Sequence, residues 1–336
     1  MIAPTEKRRE IGATGLALTA LGFGGASVGN LYRASSDDVA FGALQAALDH
    51  GVGYFDTAPH YGHGLSEVRF GQFFSGRKPA GVVLSTKVGR RLEPAGPDGP
   101  PDHGFVSPLP FTQVYDYSYD GVMRSFEDSL ARLQGLTVDV LLMHDIGALI
   151  HGQEAHAKLF REAMNGGMKA LTELRAAGDV KAIGLGVNEW QVCLESLEHA
   201  DIDVFMLAGR HTLMETEAEQ RLFPACADKG VSVIAAAPFN SGLLSRRPDP
   251  ASTYNYKAAA EDIVERASQV FDIADQHGTP LQAAALQFPL RHDIVVSVVG
   301  GMATAERVAS SAAWMKEPIT DDLWAALTLQ REAAGR

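Results

Sequence analysis

Four times along this chain a short apolar run ends at a side chain able to hold or move a proton. Tyr54-Phe55 stops at Asp56, Val82-Val83-Leu84 leads to Lys87, Val140 to Met143 stops at His144, and Ile183 to Val187 stops at Asn188. Strands of a parallel sheet are apolar on both faces, so the first polar residue after such a run emerges at the C-terminal edge. Helix-like stretches lie between the runs. Ala40, Leu44, Ala47 and Leu48 share one face after Ser36-Asp37-Asp38 and stop at Gly51, which suits a helix C-terminus. A second helix is predicted from Ser66 to Phe74, a third through Val122, Phe126, Leu130 and Leu133, and a fourth from Met168 to Ala177, closed by Gly178. Further strands at Ala17 to Phe23, Val204 to Leu207, Val231 to Ala236 and Ile294 to Val299 bring the number to eight. Eight β-then-α units predict an α/β fold, a (β/α)8 TIM barrel, as a single domain over residues 1–336. In such a barrel the strand ends share one pocket, which would gather Asp56, Lys87, His144 and, five residues after Asp56, the phenol of Tyr61.

Two segments break the rhythm. Gly89 to Tyr119 is long and rich in Pro and Gly, yet it carries Phe105, Phe111, Tyr115, Tyr117 and Tyr119. Its length and its place directly after Lys87 predict a loop on the substrate side that covers the pocket. From 318 to 336, Asp321, Leu323, Trp324, Leu327 and Leu329 predict one extra C-terminal helix.

Charge and cysteine usage narrow the partners. The formal charge is 29 − 41 = −12, which disfavours nucleic acid or an anionic membrane as partner. Cys193 and Cys226 are too few for a disulfide framework or a zinc cluster, so free thiols are expected. The segment Met1 to Glu10 is polar, and no stretch approaches the roughly 18 apolar residues of a membrane span. A cytoplasmic monomer or small homo-oligomer acting on a small molecule is expected.

Several motifs point elsewhere and fail. Gly22-Phe23-Gly24-Gly25 and Gly184-Leu185-Gly186 lack the third glycine of the dinucleotide fingerprint. His60 and His63 have neither an acidic partner nor a helical setting, so no metal is expected. Asn240-Ser241-Gly242 is no nucleophile elbow.

Phe55-Asp56-Thr57-Ala58-Pro59-His60-Tyr61-Gly62 followed by Ser66-Glu67, together with Ser85-Thr86-Lys87, Met143-His144-Asp145 and Pro238 with Gly242-Leu243-Leu244, resembles the aldo-keto reductases in order and over nearly the whole chain. Asp116 to Asp120, Ala163 to Gly167, Gly186 to Trp190, Ala208-Gly209-Arg210 and Pro238 to Gly242 are similar to the D-threo-aldose 1-dehydrogenase branch, which includes L-fucose and galactose dehydrogenases and is close to pyridoxal 4-dehydrogenase. The resemblance implies that Tyr61, Asp56, Lys87 and His144 are catalytic. A phenol titrates at about pH 10, so Lys87 beside it is expected to favour the phenolate, with Asp56 as the counter-charge of Lys87. Tyr61 would then be general acid for reduction and general base for oxidation, and His144 would orient the substrate oxygen. Taken singly, each of these residues would serve equally as an ion pair or a packed side chain.

The resemblance also implies a nicotinamide site at Asn188, at Pro238, Phe239, Asn240, Ser241, Gly242 and Leu243, and at Gly301 and Arg307. His60, Trp190 and Arg210 are implied on the substrate side. Departures from the family pattern are Val187 for its serine, Met206 for its glutamine and Ala236 for its stacking aromatic, with Trp190 or Phe239 as substitutes. Gly301 replaces the lysine that meets the 2′-phosphate in NADPH-dependent members and leaves only Arg307. Loss of an ammonium favours NAD, with NADP as a second cofactor. The expected reaction is oxidation of the anomeric hydroxyl of an aldose such as L-fucose, D-arabinose or L-galactose to the lactone. Oxidation of pyridoxal to 4-pyridoxolactone is the alternative. A cofactor-sensing regulatory subunit is the non-enzyme reading.

Overall fold

The computed structural model describes residues 7–255 and 257–334; Met1 to Glu6 and the last two residues of the predicted C-terminal segment lie outside them. Eight strands close into a barrel: β1 (Leu21–Gly24), β2 (Tyr54–Asp56), β3 (Val83–Val88), β4 (Val140–His144), β5 (Ala182–Val187), β6 (Val204–Ala208), β7 (Ser232–Ala236) and β8 (Val295–Gly301). Each pairs in parallel with the next, and β8 returns to β1. Helices fill the connections, as the alternating pattern predicts; Ser36 and Ser118 cap two of them by accepting from Val39 N and Gly121 N.

The expected first strand divides. Ala17–Thr19 pairs antiparallel with Arg8–Glu10, and only Leu21–Gly24 joins the barrel. This hairpin lays Ile11, Leu16 and Leu18 against Tyr54, Val83 and Val140, the first residues of three barrel strands. It thereby plugs the N-terminal mouth of the barrel.

Alternation along each strand decides what reaches the pocket, because successive side chains point to opposite faces. In β2, Tyr54 packs inside the barrel and Phe55 outside against the helices. In β4, Leu142 is inside and Met143 outside. The next residue at each C-terminal end, Asp56 or His144, therefore turns inward. Lys87 reaches the same level on β3, two residues after Ser85. Gly186 on β5 makes room for it: a Cβ there would lie 3.1 Å from Lys87 Cε.

The segment Gly89 to Tyr119 is an ordered hairpin rather than an irregular loop. Arg90–Pro94 pairs antiparallel with Phe111–Tyr115. Its tip is pinned to the β1 connection by Tyr32 N to Gly104 O at 2.8 Å and Val106 N to Asn30 O at 3.0 Å. Gly89 turns the chain into it with φ +93, a left-handed conformation that L side chains rarely adopt, and a Cβ would collide with the Tyr117 ring at 2.5 Å. The predicted C-terminal helix is Asp321–Ala334, with Leu323, Trp324 and Leu327 packed against Val270, Phe271 and Ala274. No helix among the described residues is long and apolar enough to cross a membrane.

Candidate active site

The C-terminal ends of β2 and β3 build the centre of the site. Lys87 Nζ donates to both Asp56 oxygens at 2.8 and 2.7 Å, to Thr57 O at 3.0 Å and to Tyr61 Oη at 3.0 Å. Both charged side chains are only 2% exposed. Such a pair is stable in the interior only when its remaining hydrogen bonds are made. Ser85 supplies one by donating to Asp56 Oδ1 at 2.7 Å, and its Oγ also lies 2.9 Å from Tyr54 Oη. Tyr61 lies in the turn after β2, between the Asp56 strand and the helix Leu65–Phe74.

His144 completes the group from β4. Its ring stands edge-on to Tyr61, centroids 6.2 Å apart, and to His60 at 5.7 Å. Burial, with Arg90, Lys87 and His60 as like charges, lowers its pKa well below the usual histidine value, so the ring is neutral. Its Nδ1 is buried without a hydrogen-bond partner. The four residues that the sequence placed on separate elements are thus adjacent.

Burial holds the Tyr61 hydroxyl protonated: its pKa is raised well above the ordinary phenol, first by desolvation and then by the charges of Asp56 and Asp145, with Arg90 opposing. Lys87 is close, but its charge is shared with Asp56, so a neutral ion pair rather than a bare cation faces the phenol.

Residues outside the expected tetrad surround this centre. Arg90, 6% exposed, forms an ion pair with Asp145, which is 4% exposed. Asp145 Oδ1 also accepts from Asn188 Nδ2 at 3.1 Å. Gln113 of the hairpin meets His60 Nδ1 at 2.7 Å and His103 Nδ1 at 3.1 Å. Phe105 stands edge-on to His60 at 5.2 Å. The signal for these was present in Met143-His144-Asp145 and in the basic residue directly after Gly89, but their partners lie 55 positions apart and only the fold joins them.

The residues expected on the substrate side fall into two neighbourhoods. Trp190 and Arg210 line, with Asn188, Glu189, Glu215 and Glu217, a cavity of about 680 Å³. Arg210 donates to Asn188 O and to Asn255 Oδ1, and Trp190 Nε1 to Glu217 at 3.3 Å. His60 instead lies with Tyr61 and His144. His211, beside Arg210 in sequence, is buried against Phe223 and Phe288, away from this cavity.

Past β7 the turn carrying Pro238 to Leu243 has Ala237, Asn240 and Ser241 in the left-handed region, followed by Gly242 at φ +91. Asn240 Oδ1 is buried with no hydrogen-bond partner. At the end of β8, Gly301 is exposed, and a Cβ there would meet only Ser27 Cβ, at 4.0 Å. Arg307 is exposed in the first turn of the helix that Thr304 caps. The orphaned amide oxygen of Asn240 and the open space beside Gly301, past the ends of neighbouring strands β7 and β8, fit a nicotinamide dinucleotide. Phe239 is packed against Trp314, centroids 6.2 Å apart, while Met206 is buried in the barrel interior with Ala236 against it.

Comparison with known proteins agrees with this geometry. Residues 20–330 match the Aldo/keto reductase family. The chain is 42% identical to a pyridoxal 4-dehydrogenase of Microbacterium luteolum over 96% of each chain. It is 39% identical to a D-threo-aldose 1-dehydrogenase of a Pseudomonas species, over 95% of this chain and 96% of that one. Among solved structures, the aldo-keto reductase AKR11C1 from Bacillus halodurans in its holo form superposes with a TM-score of 0.76 at 26% identity, covering 97% and 96% of the two chains. The chain therefore belongs to the aldo/keto reductase family and is an NAD(P)-dependent oxidoreductase.

Proposed function

We propose that the protein oxidises a cyclic hemiacetal to a lactone with NAD, using Tyr61, Asp56, Lys87 and His144. The observation that carries this reading is Lys87 Nζ bridging the Asp56 carboxylate and Tyr61 Oη, with His144 edge-on beside them. Bound at Asn188, the Pro238 to Leu243 turn and Gly301, a nicotinamide cofactor supplies the hydride acceptor. Tyr61 takes the hydroxyl proton of the hemiacetal as its carbon is oxidised and returns a proton in the reverse direction. Lys87 holds the phenol oxygen in place and stabilises the phenolate once formed, while neutral His144 hydrogen-bonds the substrate oxygen. Because desolvation and carboxylate charge raise Tyr61, the base form is scarce at neutral pH. The oxidation rate is expected to rise with pH and the reduction rate to fall.

Pyridoxal and aldoses share the cyclic hemiacetal. The wall of rings formed by His60, His103, Phe105 and His144 suits the flat hemiacetal of pyridoxal, and the 42% relative carries that name. The second reading, an aldose, is favoured by the Trp190, Glu215 and Glu217 lining of the neighbouring cavity, which offers several acceptors to hydroxyl groups. Pyridoxal phosphate, whose 5′-oxygen is esterified, cannot close the hemiacetal, and both buried cations near the phenol are already paired, Lys87 with Asp56 and Arg90 with Asp145, so it is expected to be a poor substrate. NADH formation with pyridoxal, pyridoxal phosphate, L-fucose, D-arabinose and L-galactose tests this directly. No turnover with any of the unphosphorylated hemiacetals would overturn the proposal.

A further inference from the structure

The pair Arg90 and Asp145 is not explained by folding alone. Arg90 opens the substrate-side hairpin, and Asp145 follows His144 in a left-handed conformation (φ +49) that a residue with a side chain seldom takes. Their contact closes a chain of bonds across the site. On one side Arg90 Nη1 lies 3.4 Å from Gln113 Oε1, which holds His60; on the other Asp145 holds Asn188, and its Oδ2 is 3.6 Å from His144 Nε2. The hairpin is tied to the same point a second time, since Tyr117 Oη donates towards His144 O and Asp145 O at 2.9 and 3.0 Å. Replacing such a buried pair by apolar residues is often neutral or stabilising, so its presence here asks for another role.

We propose that Arg90 and Asp145 are positioning residues, whose buried ion pair locks the hairpin onto His144 and Asn188 and keeps the charge beside the Tyr61 hydroxyl balanced. The inference rests on the catalytic reading of Tyr61 and His144 given above. The two members act in opposite senses. Tyr61 is faced by Asp56, Tyr54 and Lys87 from β2 and β3, by the rings of His60 and His144, and by Arg90 and Asp145 from the other side; Asp145 raises its pKa and Arg90 lowers it. His144 is faced by Arg90, Lys87, His60 and Asp145, and Arg90 is the largest of the charges that keep it neutral. Loss of Arg90 leaves a bare carboxylate beside both groups, whereas loss of Asp145 leaves a bare guanidinium. A purely structural brace would not distinguish the two.

The test compares Arg90→Gln and Asp145→Asn in the full-length protein. Histidine ¹⁵N NMR titration, with His144→Gln used only to assign the resonance, reads His144 without any substrate. Arg90→Gln is expected to raise the His144 midpoint by at least one pH unit, about tenfold in its protonation constant; Asp145→Asn should not raise it. In steady-state oxidation, the rising limb of the pH profile should move to higher pH in Arg90→Gln and to lower pH in Asp145→Asn. Movement in the same direction, or an unmoved His144 in Arg90→Gln, overturns the proposal. Should either variant fail to fold, Arg90→Lys and Asp145→Glu keep the charges and disturb only position. Unchanged midpoints with a raised substrate KM then support the proposal, and any other pattern overturns it. Absence of turnover with every hemiacetal would sink the substrate reading while leaving the NMR comparison to decide this one.

Discussion

Lys87 has four hydrogen-bond contacts within 3.0 Å and almost no exposure, so the behaviour of this one ammonium governs both stability and chemistry. Lys87→Met strands the Asp56 carboxylate, and removing one partner of a buried pair costs about 3–5 kcal/mol. The variant is expected to lose turnover and to unfold at visibly lower urea concentration than wild type. Tyr61→Phe keeps the ring and loses only the proton carrier. It should bind NAD as the wild type does, by fluorescence quenching, while kcat falls at least about 100-fold; near-wild-type kcat would remove Tyr61 from the mechanism. Cofactor choice belongs to the same scale. On the cofactor placement proposed above, glycine at 301 leaves Arg307 as the cation for a 2′-phosphate, so kcat/KM for NAD is expected to exceed that for NADP by at least about tenfold, or about 1.4 kcal/mol. Gly301 does not have a left-handed φ and has open space beside it, so Gly301→Lys should fold and narrow the ratio. A wild type that prefers NADP would refute this assignment.

At the scale of elements, the hairpin from Arg90 to Tyr115 decides how much of the pocket is fixed in advance. Its two strands and its ties to Asn30, Tyr32 and Gly62 make it part of the wall. Phe105, 7% exposed, packs on His60 and Tyr61. Phe105→Ala should therefore raise KM and flatten the preference among hemiacetals while kcat changes little. An unaltered specificity profile in the folded variant would show that the hairpin does not select substrate. The aromatic content of 89–119 was legible in the sequence, and so was its place after the Lys87 strand. Its pairing register was not: Arg90 opposite Tyr115 spans 25 residues, with no short turn motif to announce it.

For the whole molecule, buried neutral histidines link stability to pH. His211, 1% exposed between Phe223 and Phe288, has its pKa lowered from 6.5 to about 4 by burial and the nearby His292. A folded pKa below the unfolded one means that the unfolded chain binds the extra proton. This contribution to stability is complete above about pH 6.5 and lost as pH falls towards 4, to the extent of about 3 kcal/mol. His60 and His144 are shifted in the same direction. Tm should drop on acidification through this window, and His211→Leu should make the drop shallower. A Tm independent of pH between 6.5 and 4.5 would contradict the burial argument.

The sequence by itself determined the barrel, because eight buried parallel strands must be written as eight short apolar runs separated by amphipathic helices. It also determined which side chains reach the C-terminal edge, since strand alternation is a local property with a period of two. Asp56, Lys87 and His144 were legible for that reason, and Tyr61 from its place five residues after Asp56. The tertiary structure alone decided what those groups feel. Burial depends on all elements at once, so the upward shift of Tyr61 could not be read from the nearness of a lysine. Arg90 and Asp145, Gln113 and His60, and the split of Ala17 to Phe23 into hairpin and barrel strand rest on pairings between distant residues. Such contacts are fixed by closure of the barrel and by the hairpin folding back onto it, and no local pattern encodes them.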